Sequence, residues 1–417
     1  MTATSASHPA TTPPAPRASS ASPDFAPAQR LMREQRVDAW LVHDFRGSNP
    51  VLARLFPGPA GKKRHLTRRA MLLVPRDGAP TLLHSVLDGP GFGDVQMAKV
   101  SYVSWQEMHA ALGKLLAGRQ RVAMEYSPGC ALPIVGVVDA GTIELVRSFG
   151  VEVSSSADLI QSTIALWGAA AVQLHLEASC TVDRIKDEAF ALIRSAHASS
   201  RTISEFDVQS FIMEQFAANG LETPDPPIVG VNAHSGDPHF EVSRTNPSPI
   251  KPGDWVLIDL WARKPGDDNI YSDVTWTGFC GKVVPARHRE VFDAVVHGRD
   301  ASLALAQSRW KDRREVRGHE LDTAAREVIV AAGLGQFVRH RTGHSLSQGP
   351  MVHGNGMNLD SLETMDTRLM LPGIGFTIEP GAYLPEFGVR SEINVYVDPE
   401  KGPIVTSGTQ REPILIA

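Results

Sequence analysis

The chain has 417 residues, enough for two or three domains at ~150 residues each. Apolar residues make up 42% and charged residues 21%, a globular balance that excludes a wholly disordered, collagenous or coiled-coil chain. With 41 Lys and Arg against 46 Asp and Glu, the formal net charge of -5 leaves no basic excess to hold a phosphate backbone, so no nucleic acid is expected as a partner.

Residues 1–25 are mostly Ser, Ala, Thr and Pro, with almost nothing to bury, and read as a disordered tail. The tail lacks the apolar centre of a secretion signal, and no apolar run reaches the ~18 residues of a membrane span, so the expectation is a cytoplasmic protein without a membrane partner. Cys130, Cys180 and Cys280 stand far apart with no CxxC; they fit a reducing compartment and read as buried small hydrophobes. Over 26–160, β-type runs at 39–42, 70–74 and 81–86 alternate with helical stretches such as 105–117, which predicts an α/β N-terminal domain. A second domain is expected over 161–417, entered by a long helical pattern across 166–198. Thr202 and Glu205 then stand in the T-x-x-E spacing of a helix N-terminal capping box.

The second part repeats itself. PGDWVLIDL (252–260) can be laid over PGIGFTIEP (372–380), putting Asp259 on Glu379 at an offset of 120. YSDVTWTG then falls near RSEINVYV, with Asp273 on Glu392 at an offset of 119. Upstream, E-F-D at 205–207 and E-L-D at 320–322 each open a helix that ends in a Gly-Leu pair. Each half therefore reads as a helix followed by a β-hairpin carrying one carboxylate per strand. If the halves associate face to face, four carboxylates converge.

Four carboxylates in one pocket repel one another, and desolvation adds to the cost; two divalent cations would bring +4 against -4. Oxygen ligands with one imidazole suit Mn, Co or Zn. Candidate histidines lie in two Gly- and Pro-rich segments, VNAHSGDPHF with His234 and His239, and HRTGHSLSQGPMVHG with His340, His344 and His353. His234 and His340 are assigned no role. Other motifs fail: His319 and Glu320 lack a second histidine at Thr323, so no HExxH helix exists, GPGFG at 89–93 is too short for a nucleotide loop, and no G-x-S-x-G appears.

At these residues the sequence resembles the pita-bread metallopeptidases, the family of methionine aminopeptidase, aminopeptidase P, prolidase and creatinase. The resemblance covers about 170–417, with weaker agreement of 26–160 to the creatinase-like N-terminal domain. It implies an α/β N-terminal domain plus an α+β C-terminal pita-bread domain with a pseudo-twofold internal repeat. The family's metal-ligand order of Asp, Asp, His, Glu, Glu falls on Asp259, Asp273, His344, Glu379 and Glu392, implying two divalent metal ions. Creatinase-type members lack that set, so a metal-loaded hydrolase is favoured. By the same resemblance Asp273 and Glu392 bridge the metals, Glu379 also shuttles a proton, and His239 and His353 stabilise charge on the substrate carbonyl oxygen. Arg390, in V-R-x-E, holds a metal-bridging carboxylate through paired N–H bonds.

This sequence departs from the family in places. The two Asp ligands are 14 residues apart, as if ARKPGDDN lengthened the hairpin turn. Ser345 and Ser347 stand where glycines follow the ligand histidine, and His353 comes nine residues after His344. Met365 falls where prolidases carry an arginine that grips the dipeptide carboxylate, with Arg368 nearby as a substitute. The resemblance implies an Xaa-Pro dipeptidase acting on a small peptide with proline at position two, the family often forming homodimers. The alternatives are an aminopeptidase P acting on longer Xaa-Pro peptides and a pita-bread binding protein without chemistry, against which the complete ligand set argues.

Overall fold

The computed structural model describes residues 23–58 and 63–417. The predicted tail lies outside the described residues except for its last three, and of these Phe25 is buried in the first core.

The first part of the chain builds a six-stranded sheet from β1 (Ala39–Phe45), β2 (Arg69–Pro75), β3 (Thr81–Ser85), β4 (Ala98–Tyr102), β5 (Arg121–Met124) and β6 (Glu152–Ser155), in the order β4-β3-β2-β1-β5-β6. β1 pairs antiparallel with β2 and parallel with β5. Side chains alternate between faces along each strand. Trp40, Val42 and Leu72 therefore pack with α1 (Ala26–Gln35), α2 (Pro50–Leu55) and α5 (Ala157–Ile164). Their neighbours Leu41 and Leu73 pack with α3 (Trp105–Leu116) and α4 (Ala140–Ser148) on the other side. This is the α/β region expected.

The second part holds the repeat. The first half runs through α6 (Ala169–Ala198), α7 (Glu205–Ala218), β7 (Ile228–Val231), β8 (Trp255–Ala262) and β9 (Ser272–Phe279). The second half follows with α8 (Ala286–Lys311), α9 (Gly318–Ala331), β10 (Ser345–Leu346), β11 (Gly375–Ile378), β12 (Gly381–Tyr383), β13 (Gly388–Arg390), β14 (Ile393–Asp398) and β15 (Gly402–Val405), and β16 (Ile414–Leu415) returns to pair with β9. The repeat extends to the helix ends. α7 and α9 both close on a glycine of positive φ, Gly220 at 63° and Gly333 at 76°. Leu221 N–H donates back to Phe216 and Leu334 N–H to Ile329, the Schellman pattern that satisfies last-turn carbonyls. The second hairpin is less simple than its sequence suggests, because the small β12-β13 ribbon is interposed between β11 and β14.

Two local expectations are corrected. The cap of α7 is Ser204, whose hydroxyl accepts from Asp207 N–H while Asp207 accepts from Ser204 N–H. Glu205 instead turns inward, where its carboxylate accepts from Val231 N–H and contacts His234. Cys280 is buried as expected, but Cys130 and Cys180 are exposed, on a surface turn and on the outer face of α6.

Period-two alternation also decides where the acids go. Val256, Ile258, Leu260 and Val274 pack under α6 and α7, which turns Asp259 and Asp273 to the opposite face. In the second half Phe376, Ile378, Ile393 and Val395 pack with residues of α8 and α9, and Thr377, Glu379, Glu392 and Asn394 take the other parity. The halves are tied along β9 and β14: Asn394 Oδ1 accepts from Asp273 N–H at 3.0 Å, its Nδ2 donates to the Asp273 carbonyl, and Glu392 N–H donates to the Thr275 carbonyl.

Candidate active site

Asp259, Asp273, His344, Glu379 and Glu392, from both halves, meet in one open cleft of about 490 Å³, whose wall also includes His239, His353 and Arg390. In the β8-β9 register Asp259 faces Thr275 and Asp273 faces Trp261. The β11-β14 register, with Ile378 opposite Ile393, carries on to set Glu379 against Glu392. All eight side chains assigned a site role from the sequence therefore line the same cleft. His239 and His353 sit on its exposed side, whereas Asp259, Asp273, His344, Arg390 and Glu392 are buried.

His344 is placed by a tight backbone crossing. Its N–H donates to Thr377 Oγ1 and its carbonyl accepts from Thr377 N–H. Gly343 lies so close to the Thr377 carbonyl that a Cβ there would collide with it. The ring Nδ1 lies 3.1 Å from the Ser345 carbonyl, which makes Nδ1 a donor; Nε2 would offer its lone pair to a bound cation, while in the metal-free protein Asp273 and Glu379 outweigh burial and raise the pKa of the ring. That Nε2 stands 3.3 Å from both Asp273 Oδ2 and Glu379 Oε1. One donor atom each from Asp273, His344 and Glu392 lie within 4.8 Å of one another.

The electrostatics are those of an uncompensated anionic pocket. Burial pushes the Asp273 carboxyl up to about 7 against its contact with His344. Burial, reinforced by the charges of Asp273, Glu379 and Asp259, raises Glu392 well above the carboxylate range, and burial raises Asp259 despite Arg390. Burial would raise Glu379 too, but neighbouring positive groups, led by His344, bring it below its ordinary value. Asp259 Oδ1 and Glu392 Oε1 are buried with no hydrogen-bond partner among the described residues. Orphaned carboxylate oxygens beside an imidazole lone pair are the donor set of a divalent cation site, so the residues fit such an ion.

Several placements differ from expectation. Arg390 holds Asp259 through Nη2, not the carboxylate expected to bridge; its Nε donates to Thr275 Oγ1 and its Nη1 to Tyr383 Oη. Thr275, overlooked in the sequence, also donates to Glu392 Oε2 at 2.8 Å. His340, assigned no role, lines the cleft and contacts Tyr383 Oη at 2.6 Å. His234, likewise unassigned, pairs with Glu205 and stacks on Phe240. Arg368 cannot replace the missing carboxylate grip, since it is buried against Asp366 with three N–H contacts to that carboxylate. The signal that would have found Thr275 and His340 is parity and spacing: Thr275 is two residues from Asp273 on one strand, and His340 four before His344.

The loop departures resolve into contacts. The long β8-β9 turn (263–271) docks on the His353 loop, with Gly349 N–H donating to the Asp267 carbonyl and buried Arg263 reaching the Gly349 carbonyl. Ser345 and Ser347, where glycines were expected, accept from Gly356 and Asn355 N–H and fold that loop back toward β10. His353 is thereby set with its ring centroid 4.0 Å from that of His344.

Comparison with known proteins agrees with this geometry. The chain is 32% identical over 197 residues to a putative dipeptidase, YkvY, of Bacillus subtilis, covering 47% of this chain and 49% of that protein. It is 30% identical over 196 residues to an Xaa-Pro dipeptidase of Pyrococcus furiosus, covering 46% and 51%. The chain thus spans about half the length of the curated relatives it matches. Among solved structures, dipeptidase PepE from Mycobacterium ulcerans superposes with a TM-score of 0.65 at 22% identity, over 94% of this chain and 96% of that one. The prolidase from Pyrococcus horikoshii OT3 does so with a TM-score of 0.54 at 22% identity, over 94% and 99%. These likenesses carry the pita-bread fold. The sequence model of metallopeptidase family M24 matches residues 173–399, more than half the chain, and the protein belongs to that family.

Proposed function

We propose that this protein is a metal-dependent peptidase that hydrolyses the Xaa-Pro bond of dipeptides. The observation that carries the reading is the convergence of four carboxylates and one imidazole lone pair in a single cleft, with two buried carboxylate oxygens left without partners. In this reading 26–160 is the creatinase-like N-terminal domain and 161–417 the catalytic domain. Asp259, Asp273, His344, Glu379 and Glu392 would hold two divalent ions, with Mn, Co and Zn the candidates. Bound there, the ions supply a Lewis acid for the scissile carbonyl and lower the pKa of water.

The remaining work falls to side chains of the chain itself. Glu379, beside His344 and with Oε1 accepting from Thr377 Oγ1 at 3.0 Å, takes the proton of the attacking water and delivers it to the leaving imino nitrogen. His353 and His239 donate to the oxygen on which charge develops. Arg390 holds Asp259 in place on the cleft wall. An Xaa-Pro bond is a tertiary amide without an N–H, so its recognition depends on a shaped apolar wall; Ile228, Trp261, Met351 and Val352 supply one. The same reading includes a homodimer in the cytoplasm, which sedimentation and cell fractionation test.

The experiment is to strip the protein with chelator, restore Mn, Co or Zn separately, measure bound metal, and follow Ala-Pro and a longer Xaa-Pro peptide. Turnover of Ala-Pro with about two ions bound per chain is the expected result. Cleavage of the longer peptide alone would make it an aminopeptidase P, and no turnover with any metal would leave a binding protein.

A further inference from the structure

We propose that the turn between β8 and β9 is a rigid strap that fixes the His353 loop on the substrate side of the cleft, with Arg263 the positioning residue that joins the two, an inference that rests on the peptidase reading above. From Gly349 to His353 the backbone has little else to hold it: among the described residues, its hydrogen bonds all end on the turn. Gly349 N–H donates to the Asp267 carbonyl at 2.8 Å and the Gly349 carbonyl accepts from Arg263 Nη1 at 2.5 Å. The Pro350 carbonyl accepts from Tyr271 Oη at a long 3.5 Å. The three residues that follow, Met351, Val352 and His353, all line the cleft. The wall offered to a substrate therefore hangs from the turn.

The turn is built not to yield. Arg263 is 3% exposed, and a guanidinium removed from water needs its donors matched. Nε donates to Glu222 Oε1 at 2.8 Å and Nη2 to Asp267 Oδ1 at 2.9 Å, while the group lies 4.5 Å over the Tyr271 ring. Glu222 Oε1 also accepts from Gly266 N–H, and Asn269 Nδ2 donates to the Pro265 carbonyl, which closes the turn on itself. One planar fork thus ties Glu222, the turn and the loop at separate edges, which a single point charge cannot do. Beside it Ile270 and Tyr271 pack with Trp261 and Val352 in one apolar cluster, so the contact excludes water as well as pairing charge. The lengthened spacing between Asp259 and Asp273 is what brings Asp267 to Gly349. None of the Arg263 contacts involves Asp259, Asp273, His344, Glu379 or Glu392, so losing them loosens the substrate wall and leaves the metal ligands where they are.

The test compares wild type with Arg263→Met, which keeps the stem and removes the fork, and Arg263→Lys, which keeps the charge on one donor point. In chelated Arg263→Met protein, hydrogen exchange over residues 347–354 and the turn should accelerate by at least about tenfold and stay unchanged elsewhere. Divalent-ion affinity, by competition with a chelating dye, should stay within about threefold of wild type. On Ala-Pro, kcat/KM should fall by about 10- to 100-fold, because a displacement of ~1 Å in the wall misplaces the reacting groups. Arg263→Lys should lie between the two. Exchange that is unchanged, or that rises alike across the whole chain, overturns the strap. So does a loosened loop with wild-type turnover, or a loss of metal affinity that matches the loss of activity. If Arg263→Met does not fold, Asp267→Ala, which frees Nη2 from the exposed side, is held to the same criteria. Absence of turnover by wild type defeats the peptidase reading alone; the strap then stands on localised exchange with unchanged metal affinity and falls without it.

Discussion

Thr275 and Thr277 lie two residues apart on β9, both fully buried and on the same face, yet their hydroxyls live in opposite circumstances. Thr275 Oγ1 donates to Glu392 at 2.8 Å and accepts from Arg390 Nε at 3.0 Å, whereas Thr277 Oγ1 has no hydrogen-bond partner among the described residues. Replacing each by valine preserves shape and removes only the hydroxyl. For Thr275→Val one charge-assisted bond from Arg390, at about 1.5–3 kcal/mol, and one bond to Glu392, at about 0.5–1.5 kcal/mol, are lost, partly recovered because Arg390 keeps Asp259 and Tyr383, which gives a net loss of about 2 kcal/mol in the metal-free protein. Thr277→Val removes a buried group that gains nothing where it is, so it should be neutral or stabilising by up to about 1 kcal/mol. Urea unfolding of chelated protein, read by midpoint at constant m-value, measures both. Equal destabilisation of the two variants, or a Thr275→Val protein as stable as wild type, would refute the argument that this hydroxyl holds the buried charges together.

Three further outcomes follow from the same geometry. In chelated protein the raised carboxyl of Asp273, titrating near about 7 instead of the usual acidic range, binds its proton more tightly folded than unfolded. Its contribution is complete below pH ~4 and is lost as pH rises toward 7, so wild type should lose more thermal stability than Asp273→Asn between pH 5 and 7. Saturating divalent cation should abolish that difference, and identical pH slopes would contradict the assignment. Glu379→Gln keeps the side chain's size but cannot accept a proton, so kcat should fall by about 10²–10⁴-fold with less effect on KM, measured by Ala-Pro hydrolysis at matched metal content. Gly343→Ala drives a Cβ into the Thr377 carbonyl, displacing the segment that sets both His344 and Glu379; metal affinity by competition with a chelating dye should weaken by at least tenfold, and unchanged affinity would show that the crossing tolerates the shift.

Much of this molecule was legible without coordinates because it is written in short-range periodicity. The PG-turn, apolar run and acid recur at an offset of 120, the Gly-Leu helix ends recur with them, and alternate apolar residues on β8 and β11 dictate which parity the acids take. Those patterns depend only on the pitch of a strand or helix, so, while His344 was singled out among the histidines by the resemblance to the family, the four carboxylates could be chosen from the chain alone. Which groups serve those acids could not. Arg390 was expected on a bridging carboxylate and is found on Asp259; Arg368, near in sequence to the missing grip, is sealed against Asp366, while Arg341, passed over, lines the cleft. A side chain's partner depends on how segments more than a hundred residues apart are brought together, as Thr275 with Glu392 and Arg390 shows. The residue types and their strand parity are local properties of the sequence; the pairing of their polar atoms, and hence which charges are spent and which remain for a ligand, is decided only when the halves close on each other and exclude water.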